Sequence, residues 1–400
     1  MLVHAYAHEI QYGNQLECDK FVTQILTRSR GCDNPCIIID MCWEGFNFYR
    51  WFGQMGDVIK TLRFEKPQAK LLMTINSHFK QHADQLSSYP LDDILFVDYF
   101  LYTTCTELLT FHSSDIKPNW DSNSDKFVCV GGRLKKERAC FFEKMHNEGV
   151  LKDCLYLLSN PYNDKNFHDN YTIKTIINNA NLNEIGHKGW IVYNNIFNNC
   201  LFHLVVETSC LTVNDYPWIT EKTWTAIANH NPFMIFGDSR CSDELEKMGF
   251  KSFDRYLPVP NYQALDLDLK CQALVTNIKW WIKNIKTQKY KIEQDIKFNF
   301  DVFKRIFASN YLDIEQFIKK HDLSCSVHHV VPTDYEAVND CYRHFYQNVK
   351  APEWPHSQFF RDIYTLPVDV TKDLSQHDYS FLNRWPDKKE EFVKFCNSIR

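Results

Sequence analysis

Two places in the sequence put positive charge where a helix backbone disfavours it. In Trp218-Ile-Thr-Glu-Lys222, Thr220 has the side chain of a helix N-cap and Glu221 falls in the first turn. Lys222 then sits beside the positive end of the helix dipole, which costs about 0.3–1 kcal/mol. A cation kept there points to an anion nearby, and the free amides of a helix start bind phosphate. The second place is Arg133, Lys135, Lys136 and Arg138, ahead of and inside the first turn of a helix expected over Glu137–Asn147. Each has a plainer reading, a surface lysine in one case and a solvated basic loop in the other. Acidic candidates stand at strand ends, where parallel sheets carry their active residues: Asp40 and Glu44 in IIIDMCWEGF, and Asp98 after ILFV.

The elements that position these residues are legible from the hydrophobic pattern. Phe202–Val206 has the β-branched content of a buried strand, and a polar loop with Asn214, Asp215 and Pro217 follows. Trp224, Ile227 and Ala228 recur at i, i+3, i+4, a short amphipathic helix. Asn229–Pro232 stop it, and Phe233–Phe236 make a second buried strand ending at Gly237. Upstream, Leu2–Ala7, Cys36–Asp40, Lys70–Ile75 and Ile94–Asp98 are strand candidates, with a helical stripe at Phe21, Ile25 and Leu26. Such alternation predicts a parallel sheet covered on both faces.

Residues 112–126 are polar and aperiodic, and serve as the expected linker. A new α/β unit starts at Phe127, with Phe141, Phe142 and Met145 as the buried stripe of its first helix and Gly149 closing it. Leu155–Ser159 gives another strand. Ser242–Met248 reads as a helix capped by Gly249, after which Phe250–Phe253 is expected to return to the sheet. Residues from Lys270 to about Lys319 are helical in pattern. The expected organisation is an N-terminal domain over 1–117, a second domain over 118–320 and a C-terminal extension over 321–400.

Phe202-x4-Glu207, Trp218-Ile-Thr-Glu-Lys222 and Pro232-x4-Gly237 together resemble the donor-site signature of the α1,3-fucosyltransferase-like glycosyltransferases. Thr208 stands where that pattern has asparagine, Trp218 where it has tyrosine, and the loop before Thr220 is longer. Leu245-x3-Gly249-Phe250-x-Ser-Phe253 is similar to a segment of bacterial and viral relatives. The resemblance implies a GT-B fold, two Rossmann-like domains facing across a cleft, with the second binding a nucleotide sugar such as GDP-fucose. It implies inverting transfer to a glycan hydroxyl. Arg138, with Arg133 as the fallback, and Lys222 would hold the diphosphate. Glu221 would bond the ribose, Glu207 the donor sugar or reacting centre, and Trp218 would line the pocket beside Thr220. An inverting transfer needs a general base, for which Glu44 is the first choice and Asp40 the reserve. The alternative is a non-catalytic nucleotide- or glycan-binding module of the same fold.

The formal net charge of −5 gives no drive toward nucleic acid. A hydrophobic fraction of 44% and an aromatic fraction of 15% are ample for real cores. No signal peptide and no run of about 18 apolar residues appears in the sequence, so a soluble cytoplasmic chain with no membrane span is expected. Fifteen scattered cysteines suit reduced buried thiols better than a disulfide framework. Cys32-x3-Cys36 lacks a second pair, and Asp266-x-Asp268 reads as the approach to a helix, so no metal site and no cofactor are expected. With cations at two helix starts, diphosphate binding should need no divalent ion. Removing Arg138 or Lys222 should leave the ligand-free protein no less stable, because each replacement relieves an unfavourable dipole term.

Overall fold

The computed structural model describes residues 2–7, 15–42, 48–98, 101, 125–133, 135–159, 172, 176, 200–210, 216–323 and 327–330. Two compact units emerge: Met1–Thr103 together with Phe307–Arg400, and Thr104–Ile306. The sequence had suggested boundaries at 117 and 320. In the structure the chain leaves its first unit and comes back to it. Residues 112–124 and 331–400 lie outside the described residues.

The first unit is built on β1 (Leu2–Tyr6), α1 (Gln15–Arg28), β2 (Cys36–Met41), α2 (Phe48–Glu65), β3 (Lys70–Asn76), the short α3 (Ala83–Leu86) and β4 (Asp93–Val97). All its strands are parallel, in the order β4-β3-β2-β1 followed by a fifth strand, β9 (Val327–Val330). Every residue of β2 and β3 after the first is buried, as expected for strands covered on both faces. Ile37, Ile39, Leu71 and Met73 pack with Phe21 and Ile25 of α1 and Met55, Ile59 and Leu62 of α2. The fifth strand, β9 (Val327–Val330), comes from the expected C-terminal extension and pairs Val3 opposite His328.

The second unit carries β5 (Phe127–Arg133), α4 (Lys136–Asn147), β6 (Cys154–Ser159), β7 (His203–Val206), α5 (Glu221–Ala228), β8 (Phe233–Phe236), α6 (Cys241–Lys247) and α7 (Leu267–Asn284). Its four parallel strands run β6-β5-β7-β8. Phe141 of α4 stacks on Phe236 with ring centroids 4.4 Å apart, and Phe127 on Phe202 at 4.9 Å. Gly149 and Gly249 close α4 and α6 at φ 69° and 93°, the left-handed conformation that favours glycine. Asp266 caps α7, accepting from the Leu269 amide at 3.1 Å, so the Asp-x-Asp pair does approach a helix. The long helical stretch divides at a 3₁₀ turn, Ile285–Gln288, before α8 (Lys289–His321).

One expected element is absent. Phe250–Phe253 forms no strand. Its aromatic residues are drawn into side-chain packing instead, Phe250 against Trp224 and Phe253 against Phe233. Lys251 is tied to α8 through both its amide and its carbonyl, bonded to Asn299 at 2.8 and 2.9 Å. Those main-chain groups are therefore not available to a sheet. Among the described residues no helix is long and apolar enough to cross a membrane.

Candidate functional site

In the second unit the chain runs from β5 outward to β6, then returns to the other side of β5 to lay down β7 and β8. The reversal falls between β5 and β7. Ligands of open parallel sheets bind beyond the carboxyl ends of the strands at such a point. Here β5 ends in Gly131, Gly132 and Arg133, and β7 leads into Glu207. The register of β5 shifts between Val130 and Gly132. A Cβ on Gly131 would stand 3.0 Å from the Phe142 ring and 3.1 Å from Leu158, so a larger residue under α4 would make those side chains give way.

Glu207 is fully buried and fixes the start of α5. Oε1 accepts from the Thr220 amide at 3.1 Å and the Thr223 hydroxyl at 2.6 Å. Oε2 accepts from the Thr220 hydroxyl at 2.6 Å and the Thr208 amide at 3.3 Å. Four donors on one carboxylate compensate for its burial. Gly237 keeps β8 close behind it: a Cβ there would lie 3.3 Å from the Glu207 Cβ. The expected cap is present, with the Thr220 hydroxyl accepting from the Lys222 amide at 3.5 Å. Trp224, Ile227 and Ala228 are buried as their spacing predicts. Trp218 is buried just before the cap.

Lys222 lies over this helix start. Its Nζ is 2.5 Å from Glu221 Oε1, 3.2 Å from the Thr220 hydroxyl and 3.5 Å from the Thr208 hydroxyl. Both side chains of the ion pair are about nine-tenths buried, at 10% and 8% exposure. The anion that the dipole argument requires is thus present in the protein itself.

Arg138 is buried in the first turn of α4. Nη1 donates to the Gly131 carbonyl at 2.5 Å, and Nη2 to the Glu207 carbonyl at 2.8 Å. The guanidinium therefore stitches the end of β5 to the end of β7. This corrects the expectation that its removal leaves stability untouched. That expectation treated the cation as facing solvent at a helix start, whereas it is buried and its carbonyl partners supply the compensating negative ends of dipoles. Lys135 Nζ reaches from the same helix start to the Thr208 carbonyl at 3.0 Å. Arg133 ends β5, and its side chain is outside the described residues.

A further residue of this rim was not singled out from sequence. Lys270 of α7 is 3% exposed, and its Nζ donates to the carbonyls of Gly237 at 3.1 Å and Cys210 at 3.4 Å. Burial lowers its pKa, opposed by the neighbouring Cys210, Asp238, Cys241 and Cys271. Its place in a charged helical stretch gave no signal, because a buried lysine and a surface lysine read alike. Burial also pushes the Cys210 thiol up to about 11.

Asp40 belongs to the first unit. It is 1% exposed, and Oδ1 accepts from the Thr74 hydroxyl at 2.8 Å and the Cys42 amide at 3.1 Å. Glu44 and the loop bearing Asn214 and Asp215 lie outside the described residues. The structure therefore brings Arg138, Glu207, Thr220, Glu221 and Lys222 together with Trp218 in one unit. No group of three or more metal-ligating side chains occurs among the described residues. No family model matches the chain, and no curated protein matches it.

Proposed function

We propose that the chain is a glycosyltransferase of the GT-B type, which binds a nucleoside diphosphate sugar beyond the carboxyl ends of β5 and β7 and transfers the sugar to a glycan hydroxyl. The observation that carries this is a helix start pinned by Glu207 at the topological switch point, with Lys222 above it. The resemblance of Phe202–Gly237 to the fucosyltransferase-like donor signature names the ligand class, with GDP-fucose as the donor. On binding, a phosphate oxygen takes the place of Glu221 beside Lys222, and Glu221 turns to a ribose hydroxyl. Lys222 and the helix amides then meet the charge that develops on the leaving diphosphate. Glu207 and Arg138 act behind them by holding α5 and the two strand ends in place.

Titration calorimetry with GDP and UDP tests this. Lys222→Ala should weaken diphosphate binding about ten- to a hundredfold, the scale of one hydrogen bond to a charged group. Unchanged affinity in that variant would overturn the placement of the donor.

One observation favours the non-catalytic module. Of the acidic candidates, Glu207 and Asp40 are buried and already bonded, Glu207 by four donors and Asp40 by Thr74 and Cys42, which leaves only the half-buried Asp98 among the described strand-end candidates. A protein that binds GDP tightly but releases no sugar from a panel of nucleotide sugars and acceptors would be that module. Product formation would exclude it.

A further inference from the structure

Thr208, the first residue past Glu207, receives a lysine from each side of the switch point. Lys135, which opens α4, places its Nζ 3.0 Å from the Thr208 carbonyl. Lys222, in the first turn of α5, places its Nζ 3.5 Å from the Thr208 hydroxyl. Two ammoniums that touch one threonine stand no further apart than two contacts across a single residue. Both meet it through neutral oxygens. Thr208 can also donate. Its amide goes to Glu207 Oε2 at 3.3 Å, but its hydroxyl proton has no acceptor among the described residues. A hydroxyl that accepts from an ammonium turns its own proton away from it. We propose that Lys135 and the Thr208 hydroxyl form a second phosphate subsite, which holds the outer phosphate of a nucleoside diphosphate whose inner phosphate lies on Lys222. The assignment rests on the donor site proposed above.

The order of the phosphates follows from connectivity. On that reading Glu221 turns to the ribose, and the ribose carries the inner phosphate directly. That phosphate therefore belongs beside Lys222, the residue next to Glu221 and paired with it. The outer phosphate lies one bridging oxygen further on. From Lys222 the contacts lead through Thr208 to Lys135. They also lead outward, because the Lys222 side chain is 10% exposed, Thr208 is half-buried and Lys135 is exposed.

The subsite decides between ligands. A nucleoside monophosphate fills only the place beside Lys222, whereas a diphosphate also reaches Lys135 and the Thr208 hydroxyl. Bonds from an ammonium or a hydroxyl to a phosphate oxygen are charge-assisted and stronger than the present contacts to neutral oxygens. In a nucleotide sugar the outer phosphate is the one that bears the sugar, so the same two residues stand where the leaving group gains its charge. Arg138 cannot do this, since its guanidinium is held by the Gly131 and Glu207 carbonyls behind the edge.

Titration calorimetry of the full chain with GDP and with GMP tests this. Lys135 is exposed and methionine keeps most of its stem, so Lys135→Met leaves the fold intact. That variant should bind GDP about five- to tenfold more weakly, between the scale of an exposed ion pair and that of a hydrogen bond to a charged group, and should bind GMP within about twofold of wild type. Thr208→Val keeps the shape and loses the hydroxyl. It should weaken GDP by about three- to tenfold, and Thr208→Ser should restore it. GDP binding that falls in Lys222→Ala but is unchanged in Lys135→Met would overturn this subsite alone. So would an equal loss for GDP and GMP in Lys135→Met, because the lysine would then act on the inner phosphate. GDP affinity indifferent to Lys222→Ala would overturn the donor site, and this assignment with it.

Discussion

Replacing Glu207 with glutamine keeps the shape of the side chain and changes which of its partners can stay. One oxygen keeps two donors. The new NH₂ group faces one hydroxyl, which can rotate to accept, and one main-chain amide, which cannot. The cheaper orientation puts the nitrogen toward the Thr208 amide, the longer contact at 3.3 Å, and toward the Thr220 hydroxyl. A buried N–H left without an acceptor costs about 1–3 kcal/mol. Loss of the negative charge at the start of α5 removes a further ~0.3–1 kcal/mol of favourable dipole interaction. The bonds that remain weaken from charge-assisted to neutral, each by up to about 1 kcal/mol. Relief from burying an ionised carboxylate offsets part of this. The net loss should be about 2–4 kcal/mol. At roughly 2–4 °C per kcal/mol for a unit of this size, the melting temperature should fall by about 5–15 °C. Thermal unfolding of the ligand-free protein by circular dichroism reads this directly. A Glu207→Gln protein that melts like wild type yet loses nucleotide binding would show that the carboxylate serves the ligand rather than the helix.

Arg138→Met removes two charge-assisted bonds to buried carbonyls and should destabilise the ligand-free protein by about 2–4 kcal/mol, with Arg138→Lys intermediate. An unchanged urea midpoint for Arg138→Met would refute the stitching role. His203, buried in β7, has its pKa lowered to about 3 by burial. An unfolded histidine binds a proton below about 6.5 that the folded one refuses, so this contribution is complete above about 6.5 and is lost as pH falls toward 3, at up to ~1.4 kcal/mol per pH unit. Between pH 6.5 and 4 the wild type should lose stability more steeply than His203→Leu, and parallel curves would remove His203 as the cause.

The strands and helices were legible wherever apolar spacing alone decides. Phe233–Phe236 and the α5 stripe at Trp224, Ile227 and Ala228 are in the structure as the pattern predicts, because a buried strand and an amphipathic helix each have one stable way to hide those residues. Phe250–Phe253 failed for a related reason. Two phenylalanines three residues apart signal burial, but they do not say whether the backbone between them pairs with a strand or with Asn299. The return of Val327–Val330 to β1 was beyond reach, since nothing in a single sequence gives the partner of a strand more than 300 residues away. At the site, charge type and helix position marked Arg138 and Lys222, but the direction in which each side chain points was not readable.

That direction separates the two cations. The helix dipole argument requires a compensating group near each one, and it is silent on whether the group is a ligand or the protein. For Arg138 the compensators are carbonyls of Gly131 and Glu207, fixed at the ends of two paired strands. They cannot move away without breaking the sheet edge, so Arg138 keeps its partners whether or not an anion arrives. For Lys222 the main compensator is the Glu221 side chain, which can rotate. On the proposed reading, an incoming diphosphate carries more charge than one carboxylate and would compete for the ammonium. If the proposed donor binds here, the responsive element of this edge would be the Glu221–Lys222 pair, with Arg138 and Glu207 as the frame that keeps the pair at the switch point. A frame and an exchangeable pair would then explain how two cations with the same apparent defect are retained: one is held by the fold, and the other is held by a side chain that can rotate.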